Sequence, residues 1–209
     1  MVGRIIETEA HVAEGAAWLA AAEPRFAAAL ELTGPLPLLL RGDGFAPLFG
    51  AIVSQQVSVA AAKAVWARLE AVGATAPEGV ATASDEALRA CGLSRQKIAY
   101  GRAIAGSGID FDALRAMPDA DVIAELVQIK GVGVWTAEIY AMFSLGRADV
   151  FAPGDLALQE ATRVLFDLAE RPREPAMRML SLDWSPWRAV AARLLWAYYR
   201  VAKAREGVV

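Results

Sequence analysis

The chain has 209 residues, 56% of them hydrophobic, with 21 Lys and Arg against 24 Asp and Glu and a formal charge of −3. This is enough apolar material for one sizeable domain or two small subdomains, and the slightly acidic balance argues against a protein that coats nucleic acid through a broad basic surface. The single cysteine, Cys91, excludes an intrachain disulfide, a cysteine zinc site and a four-cysteine iron–sulfur cluster supplied by this chain, and the single histidine, His11, excludes two-histidine chemistry.

The start, MVGRIIETEAH, has no basic segment leading into a long apolar stretch, so no signal peptide is expected. The best apolar run, GPLPLLL, is too short and too proline-broken to span a bilayer, and a cytoplasmic location is the expectation. From Thr8 to Leu32 the apolar spacing is helical, with a break near Pro24. TGPLPLLLRGDG then reads as an irregular connection, and a compositional seam falls there. Helical spacing returns from Phe45 to Leu69, interrupted by the polar joint SQQVS, after which Ser58 caps a second helix. Ser84, followed by Asp85 and Glu86, opens a short helix ending near Gly92, and Ser94 opens another that carries Arg95, Lys97 and Arg102. Pro118 opens the next, with Val122, Leu126 and Ile129 on one face. Gly131 and Gly133 interrupt it, and helix resumes to about Leu145, where Gly146 is a C-terminal stop. Asp155 starts a further helix, and Ser185 and Pro186 start the last, with Val190, Leu194 and Ala197 on its apolar face. The fold class is all-α.

The paired glycines allow several readings. A tight turn or a close helix contact is the commonest use of such a pair. A dinucleotide-binding loop fails, because the third glycine is missing and the preceding segment reads as helix rather than strand. Two helices joined through KGVG form a hairpin whose second helix starts with outward amides, and such amides suit a phosphate.

LVQIKGVGVWTAEIYAMF resembles the hairpin of the DNA glycosylase superfamily named for its helix-hairpin-helix and its Gly/Pro-rich loop with aspartate. GAIVSQQVSVAAA, ACGLSRQKIAY and WSPWRAVAARLLWAYY follow the same order as in the 3-methyladenine DNA glycosylase II branch, so the resemblance covers roughly Phe45 to Tyr199. It implies two helical subdomains with an active cleft between them: residues 45–145, including a hairpin over 118–145, and a second subdomain from 1–44 plus 146–209. It implies phosphate contacts at Lys130, Gly131, Val132, Gly133 and Thr136, and a monovalent cation, Na⁺ or K⁺, held by the carbonyls of Val127, Ile129 and Gly131. No other cofactor is called for. It also implies that the polar joint meets DNA through Gln55, Gln56 and Ser58, with Gln56 filling the gap left by an everted base. Lys63, Arg95, Lys97 and Arg102 are expected near the DNA groove.

Asp155 lies twenty residues beyond Trp135 in FAPGDLALQ, where Pro153 and Gly154 force a turn before a helix. Alone, such an aspartate is simply an N-cap. The resemblance makes it the catalytic carboxylate as well, and the two roles are compatible. Breaking a base–sugar bond develops oxocarbenium character, which an ionised carboxylate stabilises while it orients or activates water. A reference carboxyl pKa of about 3.9 leaves such a group charged at neutral pH. An alkylated purine already carries positive charge and leaves without a dedicated general acid, so the shortage of histidine is no obstacle. The resemblance places Trp135, Trp196 and Ile139 in the base pocket, although tryptophans at helical spacing are equally at home in a core.

Two departures matter. Gly154 stands where branch members often carry an acidic residue, and Ile139 where some carry an aromatic. Relatives that also nick the strand use a lysine on the second hairpin helix, whereas Trp135 occupies that place here, so a monofunctional enzyme without lyase activity is expected. The resulting expectation is a monomeric glycosylase acting on alkylated purines in double-stranded DNA, with no membrane partner. A glycosylase for oxidised purines, a non-catalytic helix-hairpin-helix module and an all-helical protein scaffold are the alternatives.

Overall fold

The computed structural model describes residues 2–205, which form thirteen α-helices, one short 3₁₀ turn and no β-strand. They divide into two compact units. A central unit comprises Val2 and Arg41–Leu145, and a terminal unit comprises Gly3–Leu40 and the chain from Gly146 onward.

In the terminal unit, α1 (Glu9–Ala22) is capped by Thr8, whose side chain accepts from the His11 amide. The His11 ring itself accepts from the Glu7 amide at 3.2 Å, so the lone histidine helps to cap a helix. Pro24 ends the pattern as expected by opening α2 (Pro24–Thr33), since its missing N–H is no loss at a first helical position.

The central unit continues with α3 (Phe45–Ser54), α4 (Val59–Ala71), α5 (Pro77–Thr82), α6 (Asp85–Ala90), α7 (Arg95–Ala105), α8 (Phe111–Ala116), α9 (Asp119–Leu126) and α10 (Val134–Phe143). Ser58, Ser84 and Ser94 cap α4, α6 and α7, each accepting an amide three residues on. Ile129 lies beyond the end of α9 but is buried all the same. The sequence pattern missed α5 and α8, whose six residues each are too few to display an apolar period. The core is organised by α7. Its Gly101 faces α3, where a Cβ would stand 2.5 Å from the Phe49 ring, so only glycine permits this approach.

The chain then returns to the terminal unit with α11 (Leu156–Leu165), α12 (Glu174–Leu180), the 3₁₀ turn Ser181–Trp184 and α13 (Arg188–Arg205). The last helix begins at Arg188 rather than at Ser185, because Ser185 is extended and its hydroxyl binds Asp149, which also takes a two-pronged contact from Arg188. Backbone bonds from Ile6 to Gly146 and from Ala148 to Arg4 tie the two ends of this unit together. Phe26, Phe151, Phe166 and Trp184 form its aromatic core, with edge-to-face contacts at 5.3–5.7 Å. From α13 the buried Arg193 donates twice to the Leu38 carbonyl, at 2.9 and 3.1 Å, and once to Ala189. Burial pushes this guanidinium down to about 10.

Candidate active site and nucleic-acid interface

Pro153 and Gly154 turn the chain into α11, and Asp155 sits at its N-cap with extended backbone. Its Oδ1 accepts from the amides of Ala157 at 2.9 Å and Leu158 at 3.0 Å, two of the orphan donors that open any helix. A third donor comes from α13: the Trp196 indole Nε1 reaches the same oxygen at 3.2 Å. The buried Gln159 donates to the Pro153 carbonyl at 2.9 Å and so braces the turn from within α11. Asp155 is half-buried and is neither sealed in the core nor fully solvated. Trp196 is half-buried beside it, and Leu156, the next residue, is 62% exposed. The arrangement fixes one carboxylate on a rigid element, with an aromatic ring held against it.

The acidic residue expected before the aspartate is replaced by Gly154, yet a carboxylate is nearby. Glu174 Oε2 lies 3.6 Å from where a Cβ on Gly154 would stand. The sequence reading missed Glu174, because it reaches the loop from α12, whose seven residues carry no motif.

In the central unit the turn between α9 and α10 carries Gly131 at φ +95, a conformation that favours glycine. A Cβ there would stand 2.2 Å from the Tyr100 ring of α7, so close packing and a positive φ both require this residue. Gly133 caps α10 with no side-chain bond, and the first bond of the helix runs from the Ala137 amide to the Gly133 carbonyl. The amides of Val134, Trp135 and Thr136 therefore precede the intrahelical ladder at the positive end of the helix dipole. Lys130 and Gly133 are exposed alongside.

One expected phosphate contact, Val132, needs correction, and a second, Thr136, is left to its main-chain amide because its side chain turns inward. Val132 is only 4% exposed, and its amide donates to the Ile129 carbonyl at 3.0 Å, so both its side chain and its N–H face inward. The Thr136 side chain is 2% exposed, and its hydroxyl accepts from Gln55 Nε2 at 3.1 Å. The Gln55 amide and the Thr136 hydroxyl thus serve each other, joining the polar joint to α10. Gln56 and Ser58 are exposed, and Gln56 takes φ +57, which is uncommon for a residue with a side chain. On α10, Trp135 is 37% exposed, while Ile139, one turn further, is buried at 8%. Of the four basic residues expected near a groove, Lys63 and Arg95 are exposed, but Arg102 pairs with Asp85 at 2.7 Å and Lys97 is bonded to main-chain carbonyls.

The carbonyl set proposed for a cation fits a monovalent ion. It is neutral oxygen, and among the described residues no backbone amide donates to the Val127 or Gly131 carbonyl. The Ile129 carbonyl accepts from Val132 and keeps a second lone pair. Among the described residues there is no cluster of acidic, cysteine or histidine side chains for a transition metal, and no helix is long and apolar enough to cross a membrane.

Residues 49–186 match the family model described as HhH-GPD superfamily base excision DNA repair protein. The chain is similar to the DNA-3-methyladenine glycosidase of Bacillus halodurans, with 36% identity and a TM-score of 0.75 over 86% of each chain. It is also similar to the Schizosaccharomyces pombe 3-methyladenine DNA glycosylase Mag1, solved in complex with abasic DNA, with 28% identity and a TM-score of 0.78 over 88% of this chain and 95% of that one. YfjP of Bacillus subtilis is 33% identical over 124 residues, which are 57% of this chain, and the match spans 43% of that protein's length.

Proposed function

Because the chain belongs to the HhH-GPD superfamily of base excision DNA repair proteins, we propose that it is a monofunctional DNA glycosylase that removes alkylated purines, of the 3-methyladenine and 7-methylguanine type, from duplex DNA. The observation that carries this reading is Asp155, a half-buried carboxylate at a helix N-cap whose Oδ1 is fixed by two amides and the Trp196 indole. The names of the Bacillus halodurans and Schizosaccharomyces pombe relatives support the substrate class, and the abasic DNA bound to the latter supports duplex DNA as the partner.

The lesion is turned out of the helix at a cost of a few kcal/mol, less for damaged bases. The C1′–N bond breaks with its electron pair moving to the base, which leaves neutral because alkylation had made it cationic. The fixed carboxylate of Asp155 stabilises the positive charge on the sugar and orients water, whose oxygen bonds C1′ while its proton passes to the carboxylate or to solvent. Trp196, bonded to Asp155, offers an aromatic face to the cationic base, a contact that contributes about 0.5–2 kcal/mol, and the exposed Trp135 is the aromatic candidate of the central unit. Ile139 lies beneath the α10 surface and acts by shaping it.

The amides opening α10, with Lys130 and Gly133, take a backbone phosphate, and the carbonyls of Val127, Ile129 and Gly131 would hold the monovalent cation that reinforces this grip. Gln56 fills the gap left by the everted base. Local amides and dipoles carry the contact, so a net charge of −3 is no obstacle. With Trp135 in place of a lysine, no Schiff base forms and the product is an abasic site. The protein acts as a cytoplasmic monomer.

The test is incubation with methylated and undamaged duplex, analysis of released bases by mass spectrometry, and parallel measurement of binding. Free alkylated purine from damaged DNA alone is the expected result. Salt-sensitive binding without release would instead indicate a silent DNA-binding module, and preferential release of oxidised purines the other substrate class. Borohydride is expected to trap no covalent enzyme–DNA adduct, and a trapped adduct would refute the monofunctional assignment.

A further inference from the structure

The joint between α3 and α4 is held in an uncommon shape. Gln56 is exposed and left-handed at φ +57, flanked by Gln55 in an extended conformation and by Ser58, which caps α4. A non-glycine residue in that region persists where its surroundings impose it, and such residues gather at functional sites. The surroundings here are specific. Lys97, reaching across from α7, donates to the Val53 carbonyl and to the Gln55 carbonyl, both at 2.7 Å. These carbonyls lie at the C-terminal end of α3, where the orphan acceptors and the negative end of the helix dipole collect. The second of them belongs to the peptide unit that leads directly into Gln56. On the other side, the Gln55 side chain is bonded to Thr136.

The geometry points to Lys97 as a positioning residue, whose ammonium clamps the end of α3 and so holds Gln56 in the left-handed turn from which it enters the DNA stack. The inference rests on the reading of Gln56 as the residue that fills the gap, and it extends that reading to a lysine that acts without touching DNA. Burial pushes the Lys97 ammonium below the ordinary lysine range, consistent with a cation withdrawn from solvent into a protein contact. The same helix carries Tyr100, packed against Gly131, so α7 sets both the joint and the hairpin within the central unit.

The experiment is a double-mutant cycle on the full chain with Lys97→Met, Gln56→Ala and the combination. Eversion is read from the fluorescence of a 2-aminopurine beside the lesion, and affinity from salt titrations. Lys97→Met is expected to slow eversion about tenfold, as is Gln56→Ala, while in the Gln56→Ala background the lysine change costs less than about twofold, since residues acting through one another are not additive. The slope of log affinity against log salt is expected to stay constant, whereas a lysine bound to phosphate would lower it by about one. Lys97→Arg, which keeps the charge and two donors, is expected within about threefold of wild type and guards against a methionine variant that fails to fold. A reduced salt slope, or equal losses in both backgrounds, overturns the proposal. Slow eversion with Gln56→Ala but normal eversion with Lys97→Met overturns it alone, whereas normal eversion with Gln56→Ala overturns the gap-filling role and the proposal with it.

Discussion

One oxygen of Asp155 takes three donors, two from the first turn of α11 and one from the Trp196 indole on α13. On the proposed role of Asp155, capping and catalysis share one geometry, because the bonds that start the helix also aim the carboxylate. Replacing Trp196 with Phe keeps an aromatic face but removes the indole donor. Base release in single turnover is expected to fall about tenfold, the scale of a hydrogen bond to a charged group, while DNA affinity changes little. An unchanged rate would show that the two amides suffice. The cap was legible in the sequence, since Pro153 and Gly154 stand immediately before an apolar helical period. The indole bond was not, because its partner lies 41 residues away and no local pattern fixes the register of one helix against another. The resemblance likewise implied DNA contacts at Val132 and Thr136, whose side chains are turned inward, the first in the turn and the second in α10.

At the scale of elements, α7 is the organiser of the central unit. Its Lys97 holds the end of α3, its Tyr100 lies against Gly131, and its Gly101 admits Phe49. Gly131→Ala is expected to destabilise the protein by about 2–4 kcal/mol in urea denaturation, since it combines a positive φ with a Cβ inside the Tyr100 ring. Gly133→Ala, where a Cβ meets no atom within 4 Å and φ is −87, is expected to cost far less. Equal losses at the two sites would contradict the packing argument. Helix starts were legible where serine or threonine supplied a cap, as at Thr8, Ser58, Ser84 and Ser94, or where Pro24 took the first helical position. The short helices α5, α8 and α12 were not, because six or seven residues formed by packing carry too little period to be seen.

For the whole molecule, carboxylates held by arginines give stability a dependence on pH. Hydrogen bonding to Arg25 holds the Glu23 carboxyl below its ordinary value, and Arg163 does the same for Glu160. A depressed carboxyl contributes stability above its unfolded value, and that contribution is lost as pH falls through the folded one. Denaturation midpoints are therefore expected to fall from about pH 5 to about pH 3, and Glu23→Gln is expected to fall less steeply over that interval. An identical acid limb would show that this pair carries none of the dependence. In the proposed function, the fixed carboxylate of Asp155 stabilises the sugar cation as the base–sugar bond of an alkylated nucleotide breaks. This role is tested most directly by comparing wild type with Asp155→Asn on methylated duplex, with released bases read by mass spectrometry and affinity measured on the same samples. Wild type is expected to release free alkylated purine, and the variant none above background at nearly unchanged affinity; equal release from both proteins would remove Asp155 from its role.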